Sequence, residues 1–212
     1  MNWASIFLVF LAVAIYSLVH SGLASLAVKA RARRWFGPTA DRWYRLAYNL
    51  LAAVTFLPVL ALLGVLPDQH LYTIPFPWII LTLGVQVLAG LALVSGVLQT
   101  GVWSFLGICQ LIEPAGGDSC VQEPHLVVTG LYRFVRHPLY TAGLAFIWLI
   151  PRMTVNLLTL DLGLTGYIFV GAWLEERKLL REYGAAYAGY RQRTPMLLPI
   201  PRRVTDDRSS LK

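Results

Sequence analysis

Arginine, histidine and tyrosine stand close together in GLYRFVRHPLYTAG, Gly130 to Gly143, at the mouth of an apolar run. Pro138 suits the first turn of a helix, where its missing N–H has no intrahelical partner. Arg136 and His137 then sit at the membrane surface beside a positive helix end, an arrangement that favours an anionic group. Gly143 lets a ligand or a second helix come close. The plainer reading is that Arg133 and Arg136 anchor the helix by snorkelling to the surface.

A second group of reactive side chains lies in WLEERKLLREYGAAYAGYRQRTPMLLP, Trp173 to Pro199. Glu175 and Glu176 do not suit the negative end of a terminating helix, so the helix is expected to continue past them as an amphipathic cytoplasmic segment. Glu176, Tyr183, Tyr187 and Tyr190 are spaced by seven, four and three residues and share one helical face. A carboxylate on an aromatic face can cradle a cationic or hydroxyl-rich ligand. The alternative is an interfacial helix whose tyrosines sit at headgroup level and whose acids pair with Arg177, Lys178 or Arg181.

Other candidates stand alone. Asp161 lies within an apolar block, where an ionisable group is costly and marks a functional position by default; interfacial water is the other explanation. His20 closes the first apolar block beside Ser21, as a site residue or as a cap and packing residue. His70 and His125 show no ligand spacing with Cys109 or Cys120, so no metal site is expected. The two cysteines are read as free thiols on the cytoplasmic side. There is no P-loop and no glycine-rich strand-to-helix fingerprint, which excludes a soluble nucleotide-binding domain.

The elements that must position these residues are membrane helices. Of 212 residues, 57% are hydrophobic and 14% charged, and the mean hydropathy is +0.59, against roughly 25% charged in soluble domains. Apolar blocks run over 3–27, 46–66, 78–98 and 155–174, each long enough for a hydrocarbon layer of about 30 Å. A further run, Leu139 to Ile150, covers only about 18 Å. It is expected to draw in upstream residues, over 131–150, and to form a hairpin with the next span, turning at Pro151 and Arg152. The expected fold is an all-α bundle of about five transmembrane helices forming one domain over 1–203, with a disordered tail over 204–212.

The net charge of +7 is spread through the loops, so it reports topology and not nucleic-acid binding. Lys29, Arg31, Arg33, Arg34, Arg42 and Arg45 follow the first block, and the C-terminal part is basic again. Both should be cytoplasmic, which five spans allow if the N-terminus is outside. The first block is too long, and too poor in N-terminal positive charge, for a cleaved signal peptide.

RHPLYTAG, Arg136 to Gly143, followed by LEERKLLREYGAAYAGYRQRTPMLLP, Leu174 to Pro199, resembles the membrane methyltransferase superfamily of isoprenylcysteine carboxyl methyltransferases and phospholipid methyltransferases. HSGLAS from His20, WSFLGICQL from Trp103 and IPRMTVNLLTL from Ile150 are similar to its methanethiol S-methyltransferase and NnrU-type branch, from His20 onward. The chain departs from that branch at the front, where it is shorter.

The resemblance implies S-adenosylmethionine as cofactor, held by Arg136, His137, Tyr140, Gly143, Glu175 and Glu176. It also implies a bacterial inner-membrane enzyme acting on an apolar small-molecule or lipid acceptor, with the bilayer as its surroundings. Such a cofactor needs carboxylates for its ammonium and hydroxyls and an arginine or helix end for its carboxylate. Aromatic faces from Tyr183, Tyr187 or Tyr190 would cover its adenine or sulfonium. Arg136 and His137 are the expected catalytic residues, His137 as a positioning group or base. The expected reaction is methyl transfer to a thiol; a prenylcysteine carboxylate, a phospholipid amine, a non-catalytic NnrU-type role and an NADPH-dependent reductase are the alternatives.

Overall fold

The computed structural model describes residues 2–99, 101–112 and 126–200. Its helices are α1 (Trp3–Ala24), α2 (Leu26–Phe36), α3 (Thr39–Val65), α4 (Trp78–Gln99), α5 (Val102–Leu106), α6 (Cys109–Ile112), α7 (Pro138–Trp148) and α8 (Val155–Arg193). Two short strands, β1 (His70–Thr73) and β2 (Arg152–Thr154), and a 3-10 turn at Gly130–Arg133 complete the described elements. The expected tail over 204–212 lies outside the described residues, as do His125 and Cys120. Cys109 is disulfide-bonded and no described cysteine is free. That corrects the expectation of a free thiol at Cys109, which was drawn from the number of cysteines and their expected side.

Four helices, α1, α3, α4 and α8, are long and apolar enough to cross a bilayer, and α7 is a shorter apolar helix of 11 residues. Large apolar side chains cover the outward faces of the long helices, with Leu18, Leu57 and Leu88 all more than 60% exposed, as lipid-facing helices require. The small buried centre joins α1, α3 and α8 through Val9, Val13, Val59 and Leu160.

Several boundaries differ from the hydropathy blocks. Ser25 is extended and ends α1; its hydroxyl accepts the Val28 N–H and so caps α2. Basic residues 29–34 therefore form their own helix instead of a loop. Helix α3 starts at Thr39, seven residues before its apolar block, because Asp41, Arg42 and Arg45 ride on its first turns. Residues 131–137, expected to lengthen the fourth span, lie in the 3-10 turn and a non-helical link instead.

The α7 helix alone rises about 16 Å. The extended stretch after it carries the chain the remaining distance and pairs antiparallel with β1, placing Tyr72 opposite Met153. This puts the α7–α8 turn on the same face as the α3–α4 loop. Ser5 donates to the Pro67 carbonyl at 2.9 Å, so α1 begins on that face too. Among the described residues the chain thus passes five times between two faces, four times on long helices and once on α7 with its extended continuation.

That face is pinned by Asp68. Its carboxylate accepts the backbone N–H groups of Gln69 at 2.8 Å and Asn156 at 3.0 Å, capping α8 from a different loop. Burial pushes this carboxyl up, but hydrogen bonds from Thr154 and from three backbone N–H groups outweigh it and hold the group below its usual range. On the opposite face, Gly96 of α4 lies so close to α7 that an added Cβ would stand 2.3 Å from a Leu139 methyl.

Candidate functional site

Pro138 opens α7 as the sequence predicts, which holds the preceding Arg136 and His137 off the helix. Their backbone N–H groups donate to the Pro195 carbonyl at 2.9 Å and the Met196 carbonyl at 3.1 Å. Thr141 adds a hydroxyl bond to the Leu197 carbonyl at 2.6 Å. The segment after α8 is therefore strapped across the start of α7. Each side supplies groups that its own helix leaves unsatisfied.

Under this strap Arg136 and Glu176 are both buried, at 3% and 8% side-chain exposure. Arg136 donates from Nε to Glu176 Oε1 at 2.6 Å and also pairs with it through Nη2. Its Nη1 donates to the carbonyls of Arg191 and Thr194, where α8 ends and its carbonyls lack helical partners. Arg191 approaches the other Glu176 oxygen at 3.8 Å. The Arg136–Glu176 pair thus ties α7 to both the middle and the end of α8.

Glu175 faces the other way. Its Oε2 accepts the Tyr140 hydroxyl at 2.9 Å and lies 3.7 Å from His137 Nδ1. Among the described residues no lysine or arginine pairs with it, which leaves the Tyr140 hydroxyl, the His137 ring and solvent around it. His137 stacks on Tyr140 with ring centroids 5.4 Å apart, and its Nε2 stands 3.6 Å from Glu176 Oε1, too far for a hydrogen bond. Among the described residues the buried Nε2 of His137 and the buried hydroxyl of Tyr187 lack a hydrogen-bond partner.

These groups surround a cavity of about 290 Å³, at the lower edge of the roughly 300–1,000 Å³ usual for small-molecule sites. Arg136, His137, Tyr140, Glu175, Tyr183 and Tyr187 are on its wall. Glu176 stands behind Arg136 and does not line it, and neither does Gly143, nearly two turns into α7. The expected single face from Glu176 to Tyr190 is interrupted, because Gly184 has φ 51° and ψ −124° and kinks α8. The kink nevertheless leaves Tyr183, Tyr187 and Tyr190 on the same wall.

Sequence reasoning passed over Tyr132, whose carbonyl accepts the Tyr190 hydroxyl at 2.5 Å, and Leu179, which also lines the cavity. It passed over the strap as well. Backbone carbonyls carry no side-chain signature, and only the prolines at 195 and 199 mark that stretch as extended.

The chain aligns with methanethiol S-methyltransferase 1 of Bradyrhizobium diazoefficiens at 30% identity over 196 residues, covering 92% of this chain and 67% of the relative. This chain belongs to the methanethiol S-methyltransferase family. A family member from a Pseudomonas species is 28% identical over 194 residues, 88% of this chain and 70% of its own length. Methanethiol S-methyltransferase 2 of B. diazoefficiens is 49% identical over a shorter stretch of 82 residues, 38% of this chain and 32% of the relative. Family members are thus longer than the part this chain matches. No protein-family model and no solved structure matches the chain. The methanethiol S-methyltransferase assignment agrees with the branch that the HSGLAS, WSFLGICQL and IPRMTVNLLTL segments resemble.

Proposed function

We propose that this chain is a membrane S-adenosylmethionine-dependent methyltransferase that methylates a small thiol. The observation that carries the reading is the cavity wall itself. Among the described residues an acid without a permanent cationic partner, Glu175, shares it with two buried polar atoms that have no hydrogen-bond partner, His137 Nε2 and the Tyr187 hydroxyl. Buried polar groups without partners are rare, and these three suit a ligand bearing an ammonium, hydroxyls and a positive sulfur.

When bound, S-adenosylmethionine supplies a methyl group already activated on a sulfonium, so alignment and water exclusion are what remains for the protein. Glu175 would accept the cofactor's ammonium or ribose hydroxyls, with Tyr140 holding the carboxylate in place. His137 would meet a cofactor polar group through Nε2. Tyr183 and Tyr187 would face the adenine or sulfonium. Arg136 has its guanidinium engaged by Glu176 and the end of α8, so its main part is to hold the α7–α8 junction closed. The remaining anion-binding capacity lies at the α7 N-terminus.

Calorimetric titration of the detergent-purified chain with S-adenosylmethionine and S-adenosylhomocysteine tests the cofactor. Saturable binding, with none for NADPH, is expected. Headspace detection of dimethyl sulfide from methanethiol tests the acceptor. Cofactor binding with no turnover of thiols, but with turnover of prenylcysteine or lipid amines, would move the chain to another acceptor class. Absence of binding by a folded sample would overturn the reading.

A further inference from the structure

We infer that a second cavity, between the ends of α1 and the starts of α2 and α3, binds the headgroup of an anionic phospholipid, its phosphate bridging Lys29 and Arg45.

The sequence sets both cations at the edge of the apolar layer. Lys29 comes five residues after the last residue of α1, and Arg45 is the last charged residue before the uncharged stretch from Leu46 to the end of α3. The fold then brings them together on the wall of a cavity of about 340 Å³, with Ala24 of α1 and Phe105 of α5. No acid lines it. Asp41, the acid of α3 nearest to Arg45, is paired with Arg33 at 3.3 Å. The Lys29 ammonium stands 6.0 Å from the centre of the Tyr44 ring, and among the described residues no carboxylate pairs with it.

The rest of the wall is held in place from behind. Arg45 donates from Nη1 to the Ser104 carbonyl at 2.8 Å, and Asn49 donates to the carbonyls of Phe105 and Leu106 at 2.8 and 3.2 Å. These bonds fix α5 against α3, with Phe105 as one side of the cavity. Tyr44 gives its hydroxyl to the Leu23 carbonyl. The Tyr48 hydroxyl meets His20 at 2.7 Å, and His20 in turn meets Tyr167 at 2.6 Å. Both phenols that line the cavity are therefore engaged with neighbouring helices.

A soluble anion needs donors around it and gains nothing from an aromatic wall. Here the cations are joined by three aromatic side chains, Tyr44, Tyr48 and Phe105, which suits an amphiphile at the depth where aromatic rings meet lipid headgroups. Phe105 is 47% exposed, and Leu51, one turn further into α3 than Tyr48, is 46% exposed, leaving apolar surface for the acyl chains. Helix α2 adds Arg31, Arg33 and Arg34, holds no acid and buries none of its residues. Such a helix is drawn to an anionic membrane surface, and a phosphate shared by Lys29 and Arg45 would tie it to α3.

The test titrates the detergent-purified chain with dioctanoyl phosphatidylglycerol, dioctanoyl phosphatidylcholine and inorganic phosphate, read by native mass spectrometry and by melting temperature. Saturable binding of phosphatidylglycerol with a raised melting temperature is expected, and binding of the other two about tenfold weaker or less. Lys29→Gln should bind phosphatidylglycerol about fivefold more weakly, as for the loss of one basic residue at an anionic surface. Arg34→Gln, about 140° around α2 from Lys29, should bind it as wild type does. Equal losses in these two variants would reduce the site to diffuse basic charge and overturn the inference. So would an unchanged Lys29→Gln, or wild-type binding of phosphatidylcholine or inorganic phosphate as tight as that of phosphatidylglycerol. Lys29→Arg keeps the charge and should retain binding; a loss as large as that of Lys29→Gln would show a packing role instead.

Discussion

Adjacent acids have separate tasks in this site. Glu175 and Glu176 follow one another on α8, and the helical turn of about 100° per residue points one at the cavity and the other at Arg136. Removing the Glu176 carboxylate strands a buried guanidinium, which costs on the order of 3–5 kcal/mol. Glu176→Ala is therefore expected to lower the melting temperature of the detergent-solubilised protein well below wild type. Glu175→Gln, at a position 45% exposed, should melt within a few degrees of wild type and bind S-adenosylmethionine at least tenfold more weakly. The reverse pattern, seen by scanning fluorimetry and calorimetry together, would show that the two acids have been assigned the wrong way round.

Among the elements, α8 does most to build the site, because it crosses the bundle, supplies both acids and then bends. Its bend depends on Gly184, whose φ of 51° and ψ of −124° fall where only glycine is at ease. An added Cβ meets nothing within 4 Å there, so any penalty comes from the backbone and not from a clash. Gly184→Ala should cost about 1–3 kcal/mol or straighten the helix and carry Tyr187 and Tyr190 away from the cavity. Lost S-adenosylhomocysteine affinity with normal membrane insertion is the outcome expected; unchanged affinity and stability would mean the bend is not needed. Sequence periodicity found the three tyrosines but not this bend, because a heptad-like spacing assumes an unbroken helix, whereas a glycine at position 184 fits either geometry.

For the molecule as a whole, the five passes gather the basic residues of α2 and of the α8 end on one face, with Asp68 and the two strands on the other. Retention of lysine and arginine on the cytoplasmic side is the basis for proposing that the face carrying the site is cytoplasmic. The disulfide at Cys109 lies on that same face, which is unusual for a reducing compartment, so direct labelling is the deciding measurement. In a background with both native cysteines replaced, Gln69→Cys should react with a membrane-impermeant maleimide on intact cells. Trp35→Cys should react only after lysis. The opposite labelling would invert the topology and place the cavity beside α7 and α8 away from the cytosol.

By itself the sequence determined that the chain is a membrane helical bundle, because blocks of some twenty apolar residues have no other low-energy place to go. It also singled out Arg136, His137, Tyr140, Glu175 and the tyrosines as candidates, because charged and phenolic groups at a membrane boundary stand out against an apolar background. Only the tertiary structure decided which acid faces the cavity, since that depends on how α8 is rotated against α7. It alone brought His20 to Tyr48 and Tyr167, residues 28 and 147 positions away, and laid the strap of residues 194–197 over the start of α7. Those contacts are made between distant segments and in part through backbone atoms, which every residue possesses alike, so no local pattern of side chains could announce them.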